Sequence, residues 1–353
     1  MSRILGPNPY KNRNAIKSPN EFYGRRKLLE QVYRLILGHQ SVSILGERRV
    51  GKSSLLNALT FEPFLKKSGL PEEFHFVQVD LQYISGGTEE EFIDYLMWRS
   101  ARVLQLPNPE PGYRALAILA DQAAAQEKRI ILLMDEFEAL VGNKNITPTL
   151  FARLRSWVSA FEIPVVIASQ EGSLEPLLRT DDVGSSFLAL FHPVYVGPLA
   201  AGEAEELIRA PARFSGVEFS TEEVNWALGL GGFHPMHLQI ACYHMFELKQ
   251  AGKLTPLALD AAFEYEAADH LRYLLDRLPA AERESLRSWV LDGRTSDKKA
   301  ESELIRRGIL ISDDRPESSD KRLRVFSRAV VARIKEQEET RGGLRGIWET
   351  FRR

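Results

Sequence analysis

Gly46-Glu47-Arg48-Arg49-Val50-Gly51-Lys52-Ser53 decides how this chain is read. A glycine, four residues and then Gly-Lys-Ser is the pattern of a loop that cradles phosphate. Val42-Ser43-Ile44-Leu45 precedes it as a buried strand, and Ser54 to Leu59 follows as the start of a helix. In that strand–loop–helix setting the backbone N–H groups of Glu47 to Ser53, Arg49 and Val50 among them, curl around a phosphate. The helix N-terminus adds its positive end. Gly46 and Gly51 permit the tight backbone. Lys52 reaches the β- and γ-phosphates, Ser53 ligates Mg²⁺, and Ser54 completes the cradle.

Working outward, Ile130-Ile131-Leu132-Leu133-Met134-Asp135-Glu136 is the second landmark. Five apolar residues in a row suit a central parallel strand buried on both faces. Two acids then stand at its C-terminal end, where open α/β sheets bind ligands. Asp135 is expected in the Mg²⁺ shell, and Glu136 as the group that orients or deprotonates an attacking water. A solvated strand end is the plain alternative, and the upstream phosphate loop argues against it.

Further strands are expected at Phe74–Asp80, Pro164–Gln170 and His192–Leu199, with Ser169 or Gln170 placed to meet a γ-phosphate. A helix over 25–37 carries an apolar stripe. Thr88 with Glu91 three residues on is a capping box, and Thr147-Pro148 opens another helix. Arg179, between the last two strands, is a candidate phosphate-sensing arginine acting on a neighbouring subunit, with a plain surface arginine as the simpler reading; Arg153 and Arg155 compete for that role.

The pattern divides the chain into an arm (1–20) laid over the first domain, a nucleotide-binding core (21–199), a helical module ended by Pro256 (200–256), a winged helix (257–339) and a tail (340–353). In the winged helix, strands at Gly308–Ser312 and Leu323–Phe326 flank a polar tip. Lys321, Arg322 and Arg324 there are candidate phosphate contacts for double-stranded DNA.

Composition sets the bounds. The chain has 353 residues, 44% hydrophobic and 27% charged, with a net charge of −2, so no global pull toward nucleic acid or anionic membrane follows. Its single cysteine, Cys242, rules out an internal disulfide framework and fits a reducing, cytoplasmic compartment. No stretch is apolar enough to span a bilayer, and Met1 to Tyr10 lacks the core of a secretory signal.

Taken together, Asn8-Pro9-Tyr10, Phe22-Tyr23-Gly24-Arg25, the phosphate loop, Asp135-Glu136-Phe137-Glu138, Ser169-Gln170 and Gly232-Phe233-His234-Pro235 with Leu238-Gln239 resemble AAA+-like P-loop ATPases of the STAND class. Archaeal-type and origin-recognition ATPases are relatives of that class. The resemblance covers roughly residues 7–335. It implies a parallel sheet in the order 5-1-4-3-2, a helical lid and a winged helix. It also implies ATP/ADP and Mg²⁺ as ligands, with Gly24, Arg25 and Pro235 at the nucleotide. A switch that changes conformation or assembly with nucleotide is expected, working through self-association, a protein effector or DNA. Two departures stand out. His234 occupies the lid region where many relatives carry an arginine, and the chain ends soon after the winged helix.

Overall fold

The computed structural model describes residues 7–350 apart from 12, 108–111, 171, 175–176, 178–180 and 313–322; side chains of 340–350 are left aside. Two units emerge, Ala15–Val196 and Met1–Asn14 with Gly197–Arg353.

The first unit is built on five parallel strands: β1 (Ser41–Gly46), β2 (Phe74–Asp80), β3 (Arg129–Asp135), β4 (Val165–Gln170) and β5 (Phe191–Tyr195). They lie in the order 5-1-4-3-2, as the resemblance implied. The run 130–134 of β3 is fully apolar because both faces of the strand are covered. Ile131 and Leu133 face a core shared with Val42, Ile44, Val166 and the helices α1 (Arg26–Leu37) and α2 (Lys52–Ala58). Ile130, Leu132 and Met134 alternate to the other side. There they meet α4 (Glu89–Leu104), α5 (Tyr113–Ala124) and α7 (Pro148–Ala160), while α3 (Glu62–Ser68), α6 (Glu138–Val141) and α8 (Asp181–Leu188) fill the connections.

The capping box of α4 forms as read, with Thr88 N–H donating to Glu91 Oε2 at 2.7 Å and Glu91 N–H to Thr88 Oγ1 at 3.2 Å. Thr147 does not cap α7; its N–H and hydroxyl both donate to Glu89 Oε1 instead.

The second unit is helical apart from one strand pair. It contains α9 (Ala201–Phe214), α10 (Thr221–Gly231), α11 (Pro235–Gln250), α12 (Pro256–Asp276), α13 (Ala280–Asp292), α14 (Lys298–Arg306), β6 (Leu310–Ser312), β7 (Leu323–Val325) and α15 (Arg328–Thr350). β6 and β7 are antiparallel, with Leu310 opposite Val325.

Pro256 opens α12, one continuous helix whose cap Thr255 accepts the Ala258 N–H at 3.2 Å. Two expectations change here. The last helix runs through Gly342-Gly343 to Thr350 rather than giving way to a tail at 340. The arm also splits between the units. Tyr10 is buried in the helical unit, stacked on Phe219 and edge-on to Phe246. Its hydroxyl donates to the Ile208 carbonyl and accepts the Ala212 N–H at 3.2 Å, next to Pro211, which lacks an N–H for the helix ladder. Arg13 adds an ion pair to Glu266 at 2.5 Å. Ile16 instead joins α2, its N–H donating to Ser54 Oγ at 3.1 Å and its carbonyl accepting from Asn57 at 2.9 Å.

Candidate nucleotide site

β1 ends at Gly46, where the chain has no room for a side chain: a Cβ would sit 2.4 Å from the Val196 carbonyl oxygen. The loop then turns through Arg49, in the left-handed region at φ +61°, and Gly51 at φ +103°. Val50 anchors it, 2% exposed in the core beneath. Lys52 opens α2 and is itself buried, its Nζ donating to the Gly46 and Glu47 carbonyls, each at 3.1 Å. Gly24 and Arg25 are both left-handed, at φ +72° and +58°, and bend the chain into α1. That bend lays the buried Arg25 guanidinium along the loop, with Nη1 3.4 Å from where a Cβ on Gly51 would stand.

The acids assemble through a kink. Glu136 takes φ +53°, a conformation that costs a non-glycine residue about 1–2 kcal/mol. Its N–H donates to Asp135 Oδ1 at 3.0 Å, and the Phe137 N–H then donates to the Ala168 carbonyl at 2.9 Å. Phe137 drops into the core, stacked on Phe187 at 6.0 Å. The next residue returns to the strand ends. Glu138 accepts from Ser169 Oγ at 2.9 Å and from the Gln170 N–H at 3.1 Å, and Ser169 also meets Ser173 Oγ at 2.7 Å. In register, Asp80 lies beside Asp135 and Gly46 beside Gln170. The ends of β1, β2, β3 and β4, with the start of α2, thus bring together Lys52, the Ser53 hydroxyl and the carboxylates of Asp80, Asp135, Glu136 and Glu138.

The Novel STAND NTPase 2 family model matches residues 35–290. The chain belongs to this family.

Solved structures agree on the fold of the STAND protein. The Walker-type ATPase of Pyrococcus abyssi superposes with a TM-score of 0.63 at 16% identity, covering 93% of this chain and 99% of its own. The ORC2 protein of Aeropyrum pernix, solved as ADPNP–ADP complexes, gives 0.59 at 15% identity over 94% and 98%. Cdc6p of Pyrobaculum aerophilum gives 0.51 at 15% identity over 95% and 99%. No curated protein matches.

Electrostatics in the site of this STAND NTPase follow from burial. Desolvation pushes the Lys52 ammonium below its ordinary pKa, opposed by the attraction of Glu138, Glu136, Asp135 and Glu47. Burial raises Asp135, against a hydrogen bond from Ser53 that favours the carboxylate, and Asp80 raises it further. Glu136 is raised by burial and then by the charges of Glu138 and Asp135. This crowd of carboxylates around one lysine fits a divalent cation. Among the described residues no group of three or more His, Cys, Asp or Glu is arranged to hold a metal alone. A nucleotide-bound Mg²⁺ does not need such a group, because phosphate oxygens and water fill most of its octahedron. Ser53 and Asp135, hydrogen-bonded to each other, have the donor chemistry to supply the protein's part.

Of the residues expected at the site, Gly24, Arg25, Gly46, Arg49, Val50, Gly51, Lys52, Ser53, Asp135, Glu136 and Ser169 all lie in the first unit. Ser54 follows the loop but bonds Ile16. Arg179 lies outside the described residues, as do Lys321 and Arg322. Pro235 belongs to the other unit, in the first turn of α11. There Gly232 closes α10 at φ +57° against Phe326. His234 packs within that unit, its ring 4.3 Å from His237 and 5.6 Å from His270. Sequence reasoning gave no role to Glu138 or Asp80. Their signal was only position, one just past the acidic pair and one at the end of a strand neighbouring β3.

The histidine group carries a pH prediction. His237 is fully buried, hydrogen-bonded through Nε2 to His270 Nδ1 at 2.7 Å and stacked on Phe326. Burial, with His234 and His270 nearby, holds its pKa well below the ordinary 6.5. The unfolded chain takes up a proton near 6.5 that the folded chain refuses. Stability is therefore intact above that pH and falls by about 1.4 kcal/mol per unit below it, until the folded value is reached. Urea midpoints between pH 7.5 and 5 should drop steeply for the wild type and less for His237→Asn. Equal slopes would show that His237 is not the group responsible.

Proposed function

We propose that this STAND NTPase is a Mg²⁺-dependent ATP-binding switch that hydrolyses ATP slowly. The observation that carries the reading is the convergence of Lys52, Ser53, Asp135 and Glu136 on one crevice, around a loop whose backbone is free of side chains at Gly46 and Gly51. Lys52 holds the β- and γ-phosphates, and its contacts to the Gly46 and Glu47 carbonyls keep the ammonium over the loop. Ser53 and Asp135 would hold the metal, which when bound would neutralise charge on the β- and γ-phosphates. Glu136 orients the water and accepts its proton. Glu138 fixes Ser169 and Gln170, so a γ-phosphate is sensed through the end of β4.

Because a ligand shifts a conformational equilibrium only by its differential affinity, the γ-phosphate is what distinguishes the two states. ADP favours a closed form, and ATP an open form that associates with itself or with an effector protein. Arg179, Arg153 or Arg155 acts across a subunit boundary, and Gly24, Arg25 and Pro235 border the nucleoside. A reducing cytoplasm suits the one buried cysteine, and among the described residues no helix is long and apolar enough to cross a membrane. Titration of fluorescent ATP, with and without Mg²⁺, tests the reading. Saturable binding that needs the metal supports it, and absent binding rejects it.

A second reading rests on the strand pair. α13, α14, β6, β7 and α15 follow one another in the sequence of a winged helix, and β6 pairs with β7 as a wing would. With Arg324 on β7, this module is a candidate for DNA backbone contact. Binding to duplex DNA that vanishes even at low salt removes this reading, since electrostatic affinity is greatest there.

A further inference from the structure

The outer face of α4 carries the feature that the nucleotide chemistry leaves unused. Asp94, Trp98 and Arg102 follow one another at four-residue intervals, which places them on one line along the helix, and all three are exposed. Trp98 is 46% exposed, and Tyr83, in the short turn after β2, is 82% exposed. Tyr95 joins them into a ladder, 6.2 Å from Tyr83 and 6.4 Å from Trp98 between ring centres. Two guanidinium groups lie over the Trp98 ring, Arg102 at 5.6 Å and Arg99 at 5.9 Å. Tryptophan, tyrosine and arginine are the residues that dominate binding at protein interfaces.

The charge pattern selects the occupant. On this line an acid stands one turn before the tryptophan and a base one turn after it. Such a strip is complementary to itself when reversed. We propose that α4 pairs antiparallel with α4 of a second copy of this chain, about a two-fold axis through Trp98. Asp94 of each copy then faces Arg102 of the other, and the two aromatic ladders cover one another. Of the other charges near this line, Glu91 closes the capping box and Arg99 donates to the Gln78 carbonyl at 2.9 Å, while Glu90, exposed one turn before Asp94, lies beyond the stretch from Asp94 to Arg102 that the pairing uses. A nucleic-acid strand is the other chemistry that exposed rings and arginines suit, but it would bring phosphate to Asp94 as well as to Arg102. The contact involves one helix per copy, so it is weak, with dissociation in the range of about 10–100 µM. It does not depend on the nucleotide site.

Sedimentation of the full chain without nucleotide, over a concentration series into that range, tests the proposal. The wild type dimerises. Asp94→Arg alone and Arg102→Asp alone are monomers, since each sets like charges opposite one another twice, and each raises the dissociation constant by about tenfold or more. An equimolar mixture of the two variants restores the dimer, because both facing pairs are again opposite in sign. That rescue also shows that both variants are folded. A wild type that stays monomeric throughout, single variants that still dimerise, or a mixture that does not associate overturns the proposal. So does a labelled single-stranded oligonucleotide that binds the wild type and loses its binding in Arg102→Asp while the mass of the protein never changes.

Discussion

Lys52→Ala should weaken ATP binding by at least about a hundredfold, roughly 3 kcal/mol, because truncating one partner of a buried, hydrogen-bonded charge pair costs about 2–5 kcal/mol. Two losses combine. The phosphates lose their ammonium, and the crevice loses the only lysine among four carboxylates. Asp135, Glu136 and Glu138 all act on Lys52 through their charge. Without it, they repel the incoming triphosphate. The fold should survive, since Val50, Leu55 and Leu56 still bury the loop and the helix behind it. A melting curve separates the two effects. Wild-type affinity for labelled ATP in a folded Lys52→Ala protein would mean that the nucleotide sits elsewhere.

Glu136→Gln should bind ATP at least as tightly as the wild type and hydrolyse it about 10²- to 10⁴-fold more slowly, the usual contribution of a positioned acid–base group. The amide keeps the shape of the side chain but cannot take the proton of the attacking water. Removing one negative charge also relieves the crowding that raises the carboxylates here. Single-turnover kinetics separate binding from chemistry. Asp135→Asn should differ in kind, weakening binding most where Mg²⁺ is scarce, because the charge beside Ser53 is lost. If Glu136→Gln hydrolyses normally, then Glu138 or another group is the base.

Much of this was legible in the sequence, and for simple reasons. A central parallel strand is apolar on both faces, so 130–134 declared itself, and the strand order came with the resemblance carried by the phosphate loop. What escaped depends on contacts between residues far apart. The acids after β3 read as a pair, yet the left-handed kink at Glu136 and the burial of Phe137 return Glu138 to Ser169 and Gln170. Nothing in the local spacing announces that return. Tyr10 read as part of an arm laid over the first domain, because its partners, Ile208 and Ala212, are about two hundred residues away. Residues 340–353, with Gly342-Gly343, read as a tail. Each glycine weakens a helix by only about 1 kcal/mol relative to alanine, and α15 passes through both. His234 read only as the residue standing where a lid arginine is usual, and only the fold sets it beside His237 and His270.

The central claim is that the γ-phosphate changes the state of the protein. The most direct measurement is light scattering of Glu136→Gln, saturated with ATP and then with ADP. The protein concentration should lie below that at which the nucleotide-free chain associates. A larger particle in ATP and a monomer in ADP is the predicted result. The same monomer mass and hydrodynamic radius with both nucleotides would contradict the switch.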